Sequence, residues 1–218
     1  MSNNIVIYGA GGAGKELAFY LSLDNNPDTA WKIEGFIDDT EQLQGQVVNG
    51  LPILGGFEYL MNYSGNIAAT VLDDPSVRRN LILKIKRNIN IRFPVVISPT
   101  CTVSPFIEWG EGCIVSGAYN VLSVNIRLGN FVFVTSRTGI GHDVTIGDYT
   151  SIFAGISIGG GVSIGSGCVI GSNATILPKI KIGDGSIIGG GSVVTKNIPP
   201  RVIAAGVPAR IIREIDQK

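Results

Sequence analysis

Aliphatic side chains recur at every sixth position through most of the second half of this chain. Leucine, isoleucine or valine occupies thirteen consecutive positions at this spacing, from Leu122 to Val194. Glycine follows directly in eight of these hexads, at positions 129, 141, 147, 159, 165, 171, 183 and 189. A period of six does not fit an α-helix, but an extended segment that turns a corner every few residues brings each sixth side chain inside. The pattern predicts a parallel β-helix with triangular coils of about 18 residues.

The same period begins earlier in the chain, one residue out of phase. Its aliphatic or aromatic positions are Val103, Trp109, Val115 and Val121. We place the extra residue in the segment GAYNVLSVN, residues 117–125, at a corner of a coil. A β-sandwich is the alternative, but its strands would alternate with period two and its turns would come about every 8 to 12 residues. The β-helix accounts better for this part of the chain.

The first hundred residues alternate between apolar strands and helices. The segment NIVIYGAGGAGKELAFYL is a strand, a glycine-rich turn and the start of a helix. Three further strands are predicted in KIEGFIDDT, NIAATVLDDP and RFPVVIS, with a helix from Ser76 to Arg87. We therefore predict an α/β, Rossmann-like βαβ domain over residues 1–98 and an all-β domain with a C-terminal tail over residues 99–218.

The glycine-rich turn has the spacing G-x-G-x-x-G, formed by Gly9, Gly11 and Gly14. The backbone amides of such a turn and the helix N-terminus can face a phosphate. Asp38 and Asp39 follow the second strand, where a Rossmann unit places its ribose-binding acid. The spacing alone also marks tight packing of a strand on a helix, but together with the strand, helix and acids it predicts nucleotide binding. An NAD-dependent enzyme is an alternative that lacks support, because no second catalytic domain follows.

Composition and charge serve mainly to exclude classes of partner and of cellular location. Lysine and arginine number 17, as do aspartate and glutamate, so neither nucleic acid nor an anionic membrane is an expected partner. The N-terminus lacks the basic region of a signal peptide and no apolar stretch approaches the roughly 18 residues that cross a bilayer, so we expect a cytoplasmic protein. The three cysteines, at 101, 113 and 168, are widely spaced and predict buried free thiols.

His142, the single histidine, lies in the segment GIGHDVTIGDY. A histidine can take a proton from an attacking amine or hydroxyl near neutral pH, but a lone histidine is also common on a surface, and the residues alone leave both roles open. His142 and Asp143 can cooperate only at a bend, which Gly139 and Gly141 favour, because adjacent residues on a flat strand point to opposite faces. One histidine excludes a γ-type carbonic anhydrase, which needs three as metal ligands.

Over nearly its whole length the chain resembles the NeuD/PglD-like sugar acyltransferases, which include sialic-acid O-acetyltransferases and acetyltransferases of the bacillosamine pathway. The segments that carry the resemblance are YGAGGAGKE, GFIDDT, GHDVTIGDY and GSVVTKNIPPRVIAAGVPAR. The last is highly specific to hexapeptide acyltransferases. The resemblance implies that the β-helix is left-handed, that the protein is a homotrimer, and that acetyl-CoA binds in clefts between neighbouring β-helices. It also implies that the glycine turn holds a nucleotide-linked amino sugar, with no metal required.

The resemblance assigns roles to individual residues. It implies that His142 is the general base and that Asp143 orients the imidazole and stabilises the imidazolium. Family members commonly carry a histidine where this chain has Ala13, and another near the acetyl carbonyl where this chain has Ser151. The implied nucleotide-sugar contacts are Gly9, Gly11, Gly12, Ala13, Gly14, Lys15, Asp38 and Asp39.

Residues 18 apart should stack on successive coils, which supplies candidates for the coenzyme. His142, Gly160, Pro178 and Lys196 fall in one column along which pantetheine could run. The candidate coenzyme contacts are Ser151, Gly160, Gly161, Pro178 and Lys196, with Ser151 donating to the acetyl carbonyl. Arg201 and Arg210 are further candidates for its phosphates.

The sequence thus predicts transfer of an acetyl group from acetyl-CoA to an amino group of a nucleotide-linked sugar, of the UDP- or GDP-4-amino-6-deoxy type, for a surface glycan. Direct attack is the expected mechanism, without an acyl-enzyme. The alternatives are a sugar O-acetyltransferase and a non-catalytic nucleotide-binding scaffold. A small-molecule acetyltransferase would not require the α/β domain.

Overall fold

The N-terminal part of the chain forms a six-stranded sheet with two main helices. The computed structural model describes residues 3–70 and 74–216. The strands are β1 Asn4–Tyr8, β2 Lys32–Ile37, β3 Val47–Val48, β4 Leu51–Gly55, β5 Gly65–Ala69 and β6 Ile91–Arg92. The helices are α1 Gly12–Leu21 and α2 Pro75–Ile85, with 3₁₀ turns at Glu41–Leu43 and Phe57–Met61. The strand order is β3-β4-β2-β1-β5-β6, and all the pairs are parallel except β3 with β4.

Local sequence explains these elements. Ile5, Val6 and Ile7 of β1 are all fully buried, because a central parallel strand is covered on both faces. Asp74 caps α2 by accepting from the backbone amide of Ser76 at 2.8 Å, and Pro75 occupies the first helical position, where no amide is needed. The first two predicted strands, the described part of the third and both predicted helices are confirmed, with α2 spanning Pro75–Ile85 where Ser76 to Arg87 was predicted. Residues 71–73 of the predicted strand NIAATVLDDP lie outside the described residues.

The segment RFPVVIS was predicted as one strand, and the structure divides it. Ile91–Arg92 pairs with β5 in the α/β sheet, whereas β7, Val96–Ile97, pairs with the first coil of the β-helix. Pro94 lies between them and has no amide to donate to a ladder. The strands β3 and β4 were not predicted, because they are short and carry no sustained alternation of apolar and polar residues.

The β-helix consists of short strands separated by turns. They are β8 Thr102–Val103, β9 Ile107–Trp109, β10 Ile114–Val115, β11 Val121–Leu122, β12 Ile126–Leu128, β13 Phe133–Val134, β14 Gly139–Ile140, β15 Thr145–Ile146, β16 Ser151–Ile152, β17 Ser157–Ile158, β18 Ser163–Ile164, β19 Val169–Ile170, β20 Thr175–Ile176, β21 Lys181–Ile182, β22 Ile187–Ile188 and β23 Val193–Val194. A terminal hairpin, β24 Val202–Gly206 and β25 Ala209–Glu214, extends the sheet that contains β22.

Every third strand stacks in parallel, which gives three faces. The first face contains β7, β10, β13, β16, β19 and β22, followed by the hairpin; the second contains β8, β11, β14, β17, β20 and β23; the third contains β9, β12, β15, β18 and β21. Ile140 pairs with Ile158, and Ile158 with Ile176, at the predicted spacing of 18 residues. All thirteen ladder positions from Leu122 to Val194 are buried, none more than 5% exposed. The predicted coil is confirmed.

The phase shift lies between Val115 and Leu122. Leu122 pairs with Val103 and points inward, whereas Val121 is 51% exposed, so its assignment to the earlier ladder is wrong. Asn120 is fully buried at the step, where its side chain donates to the carbonyl of Ser116 and accepts from the amide of Thr138. These side-chain hydrogen bonds satisfy backbone groups that the interrupted ladder would leave without a partner. A buried backbone group without a partner would be costly in free energy.

The α/β domain packs against the first face of the β-helix. Val96, Ile114 and Phe133 point outward from that face and are buried in one cluster with residues of α1 and the α/β sheet. On the other side of the sheet Arg78 of α2, 1% exposed, donates to the hydroxyl of Ser151 at 3.0 Å and to the carbonyl of Tyr149. The two domains therefore share a core. Their boundary at residue 98 stays a prediction, although β7 already belongs to the β-helix ladder.

Truncating one ladder side chain should destabilise the β-helix. Ile158→Ala removes a side chain that is 3% exposed and should lower the free energy of unfolding by about 2 to 5 kcal/mol, measured by urea denaturation. Ser157→Ala is the matched control, because Ser157 is exposed on the same strand, and its effect should stay within about 0.5 kcal/mol. Equal effects of the two substitutions would contradict the inward ladder.

Candidate active site

The glycine turn joins β1 to α1, and its glycines have different tasks. Gly9 has φ +103, a conformation that disfavours other residues, and its amide donates to the carbonyl of Ile37 at 2.8 Å. A Cβ on Gly14 would collide with the carbonyl of Gly9, whereas a Cβ at Gly11 or Gly12 would meet no described atom within 4 Å. Gly9 and Gly14 thus shape the turn, and Gly11 and Gly12 leave the start of α1 open to a ligand.

The two predicted acids lie beside this turn but are already engaged. Asp38 accepts from the amide of Ala10 at 2.7 Å and from that of Thr40 at 2.9 Å. Burial acts to raise the pKa of Asp38, but these hydrogen bonds outweigh it and lower the pKa. Asp39 accepts from the hydroxyl of Tyr8 and from the amide of Phe57. Burial and then the bond to Asp39 raise the pKa of the Tyr8 hydroxyl. Both carboxylates hold the carboxyl edge of the sheet in shape.

Two further predicted contacts lie on α1. Ala13 is half-buried and packs against the cluster between α1 and the sheet. Lys15 is half-buried and lines a shallow depression with Trp31 and Leu51. The turn itself is therefore open at Gly11 and Gly12, and its remaining predicted contacts are spread along the adjoining helix and strand ends.

The second and third faces of the β-helix meet at a corner that we call the histidine corner, consisting of Val124–Asn125, His142–Asp143, Gly160–Gly161 and Pro178–Lys179. The second residue of each pair has positive φ: Asn125 +58, Asp143 +58, Gly161 +70 and Lys179 +64. This is the bend that cooperation between adjacent residues requires. It is formed by Asp143 itself, in the left-handed conformation that aspartate tolerates, rather than by the flanking glycines.

At this corner the imidazole of His142 bonds to the neighbouring carboxylate. Nδ1 of His142 lies 2.7 Å from Oδ2 of Asp143, and the side chains are 65% and 58% exposed. The bond to His142, then one from Asn125, lowers the pKa of Asp143. An ionised carboxylate only accepts hydrogen bonds, so in the neutral imidazole this contact favours the proton on Nδ1 and leaves the lone pair on Nε2. That is the tautomer that a general base acting through Nε2 needs.

Gly160 lies directly under the ring. A Cβ built on Gly160 would stand 2.5 Å from Nε2 of His142 and 2.6 Å from Cε1. The amide of Gly161 donates to the carbonyl of His142 at 2.8 Å. Gly160 therefore leaves room for the imidazole to lie over the next coil. The predicted role of these glycines was only to let the coenzyme approach closely.

The predicted column is present in the fold. Ile140 pairs with Ile158, Ile158 with Ile176, and Ile176 with Val194. Two residues after these four positions lie the members of the column, His142, Gly160, Pro178 and Lys196. The column thus continues along the coils after His142. Whether coenzyme follows it stays a prediction.

Ser151 does not belong to this corner, which corrects its assignment as a coenzyme contact. It lies on β16 of the first face, is fully buried, and accepts from Arg78 of the α/β domain. Its hydroxyl is enclosed between the two domains. The backbone amide of Arg201 donates to the carbonyl of Asp184 at 2.8 Å, at the corner of the first and third faces, and Arg210 belongs to β25. Neither arginine lies in the column of His142.

Asn125 and Arg78 were not among the predicted site residues. Asn125 donates from Nδ2 to Oδ1 of Asp143 at 3.1 Å, and its position 18 residues before Asp143 was an available signal. Arg78 lies in a polar helix with no pattern that marks it for burial.

The three cysteines differ in their burial. Burial raises the pKa of Cys113 and of Cys168 to about 11, while Cys101 is half-buried. Within residues 3–70 and 74–216, no three histidine, cysteine, aspartate or glutamate side chains gather as metal ligands. In the same ranges no helix has the length and apolar character to cross a membrane.

Two family models match this chain. The PglD N-terminal domain matches residues 4–85, and the bacterial transferase hexapeptide model (six repeats) matches residues 143–178 and 161–196. Two curated relatives match parts of it: galactoside O-acetyltransferase of Escherichia coli K12, 56% identical over 96 residues, and a tetrahydropyridine-dicarboxylate N-acetyltransferase of Alkaliphilus metalliredigens, 54% identical over 46 residues. These matches span 30% and 19% of the relatives' own lengths.

Solved structures are similar over nearly the whole chain. The acetyltransferase domain of PglB from Neisseria gonorrhoeae has a TM-score of 0.87 and 29% identity, covering 97% of this chain and 100% of that one. A mutant of GDP-perosamine N-acetyl transferase from Caulobacter crescentus, in complex with CoA and GDP-perosamine, has a TM-score of 0.83 and 25% identity, covering 97% of each chain. Both similarities include the α/β domain and the β-helix together.

A side chain at position 160 should displace the imidazole. Gly160→Ala places a Cβ where the ring of His142 lies, so a crystal structure of the variant should show the ring moved and its bond to Asp143 lengthened or broken. Gly139→Ala is the control, because its Cβ meets no described atom within 4 Å. An unchanged ring in Gly160→Ala would contradict this packing.

Proposed function

Because the chain belongs to the NeuD/PglD-like family of hexapeptide acyltransferases, we propose that it transfers an acetyl group from acetyl-CoA to the amino group of a nucleotide-linked amino sugar. The observation that carries the proposal is the bond between His142 and Asp143 at an exposed corner. The pair leaves Nε2 as a proton acceptor, which an amine or hydroxyl needs before it can attack a thioester.

In the proposed mechanism Nε2 of His142 takes a proton from the acceptor as its nitrogen bonds to the thioester carbonyl carbon. The resulting imidazolium is stabilised by Asp143, whose carboxylate lies against Nδ1. The tetrahedral intermediate then collapses, the carbon–sulfur bond breaks, and the departing thiolate receives the proton from Nε2. Direct attack needs no acyl-enzyme, and Cys113 and Cys168 are buried, with pKa values raised to about 11.

The acceptor is proposed to be an amine on a nucleotide-linked sugar. The open turn at Gly11 and Gly12 lies at a helix N-terminus, where a diphosphate is favoured. The structural relative from Caulobacter crescentus is described as an N-acetyl transferase in complex with GDP-perosamine, and it covers both domains. A hydroxyl acceptor is the second candidate, supported by the match to galactoside O-acetyltransferase over 96 residues. Incorporation of the product into a surface glycan is part of the same proposal.

The first test is thiol release from acetyl-CoA with a panel of UDP-, GDP- and dTDP-linked sugars that carry either an amine or a hydroxyl at the acceptor carbon. His142→Ala should lower kcat by about 100-fold or more, because the general base is lost. Asp143→Asn should lower it less, because the ring remains but its tautomer is no longer imposed. Full turnover by His142→Ala would contradict the catalytic role, and turnover with only the hydroxyl sugars would favour O-acetylation.

We also propose that the complete site requires two copies of the chain, in keeping with a homotrimer. The α/β domain packs on the first face of its own β-helix, whereas the histidine corner joins the second and third faces. In a three-sided coil that corner is the one farthest from the first face. The glycine turn that meets His142 would therefore belong to a neighbouring copy.

Complementation between two inactive variants tests the shared site. Gly12→Glu adds a negative charge that repels a diphosphate. The fold should tolerate the substitution, because an acid in the first turn of α1 interacts favourably with the helix dipole. When Gly12→Glu and His142→Ala chains are co-expressed, about a quarter of the sites should combine an intact turn with an intact histidine. Activity well above that of either variant alone is the expected result. No recovery in verified mixed oligomers would place both elements of the site on one chain.

A further inference from the structure

The carboxylate beside His142 is held from two sides. Oδ2 of Asp143 bonds to Nδ1 of His142 at 2.7 Å, while Oδ1 accepts from Nδ2 of Asn125 at 3.1 Å. Each oxygen thus has its own partner. A carboxylate that is 58% exposed and bound through one oxygen could rotate or turn to water, whereas bonds at both oxygens fix its plane.

The backbone fixes Asn125 as firmly as it fixes Asp143. Both residues have φ +58 at the histidine corner, one coil apart. The amide of Asn125 donates to the carbonyl of Phe106 at 2.9 Å, and that of Asp143 donates to the carbonyl of Val124 at 3.1 Å. The distance between the two side chains is therefore set by the stacking of coils and not by a mobile loop.

An amide suits this position chemically. It donates a hydrogen bond to the carboxylate without adding charge, so Asp143 keeps its full negative charge for the imidazolium that forms during proton transfer. A lysine or arginine there would compete with the imidazolium for the same carboxylate. The bond from Asn125 also contributes to the lowered pKa of Asp143, after the larger contribution of His142.

We propose that Asn125 is a positioning residue for the reaction: it orients Asp143, and through Asp143 it holds the proton of His142 on Nδ1. The proposal rests on the proposed function for its catalytic consequence, but its structural part concerns the imidazole alone. The active group is then a chain of three side chains, Asn125, Asp143 and His142, drawn from two successive coils.

The test variant is Asn125→Gly, which removes the amide and keeps a backbone that accepts positive φ. The fold offers precedent, because the same corner carries Gly161 at φ +70. The matched control is Asn173→Gly. Asn173 is an exposed asparagine with φ +59 at the corner between the first and second faces, and its column carries Gly155 at φ +75. Both variants make the same chemical change at similar conformations.

The kinetic readout separates positioning from binding. Asn125→Gly should lower kcat by about 10-fold, the order expected for a lost hydrogen bond to a charged group, with KM for acetyl-CoA changed less than about 2-fold. Asn173→Gly should leave both parameters within about 2-fold. Equal kcat values in the two variants would overturn the catalytic part of the proposal.

The spectroscopic readout does not depend on turnover. His142 is the single histidine, so ¹⁵N-histidine labelling gives one pair of ring-nitrogen resonances that report the tautomer. The Nδ1–H form should dominate in the wild type and in Asn173→Gly, and its share should fall in Asn125→Gly. An unchanged tautomer in Asn125→Gly would overturn the proposal even if activity fell.

The two failures are distinguishable. If His142→Ala retains turnover, the proposed function fails, while the tautomer comparison still decides whether Asn125 positions the pair. If His142→Ala is inactive but Asn125→Gly matches Asn173→Gly in both kcat and tautomer, only the role of Asn125 fails.

Discussion

The backbone hydrogen bonds between successive coils are the constraint on which the rest of this structure depends. Each coil takes its partners from its neighbours at a fixed offset, so a residue's height and direction follow from its position in the repeat. The stacking of coils therefore also sets the positions of the residues at the histidine corner. Gly160 lies under the ring of His142, and Asn125 lies beside Asp143, because coils stack in register and not because a loop closes on them. A rigid scaffold of this kind suits a site whose parts must meet within a few tenths of an ångström.

The contact between the domains extends that constraint to the glycine turn. Arg78 is buried, and burial lowers its pKa to about 10, which still leaves it charged at neutral pH. Its bonds to Ser151 and to the carbonyl of Tyr149 offset part of the cost of burying that charge. Tyr149 in turn stacks on Phe131, with ring centroids 5.3 Å apart. The glycine turn is therefore held at a defined place relative to the coils, as a site shared between copies would require.

The β-helix was predictable in detail because its repeat is local in sequence. Once one ladder position is known, the next inward-facing residue lies six positions further along the chain. The pairing of His142 with Asp143 was expected from the family resemblance, with a bend as its condition, and the positive φ of Asp143 supplies that bend. The predictions that were wrong or incomplete concern residues whose contacts are with partners remote in sequence. Ser151 occupies an outward position that would be exposed in an isolated β-helix, and only the docked α/β domain covers it. Val121 was misplaced because valine suits either side of a strand, whereas the buried Asn120 decides where the extra residue goes. The short strands β3 and β4 depend on pairing that a local pattern does not encode.

The phase step at Asn120 has a consequence for how such a chain can change in length. Inserting or deleting one residue in a later coil would rotate every following side chain around the circumference, unless a buried polar group took over the broken bonds as Asn120 does. Duplicating a whole coil would preserve every ladder and only lift the terminal hairpin by the spacing of one strand, about 4.8 Å. Evolution should therefore favour gain and loss of complete coils, so that the stack of coils beyond His142 can lengthen in steps while the chemistry of the histidine corner stays in place.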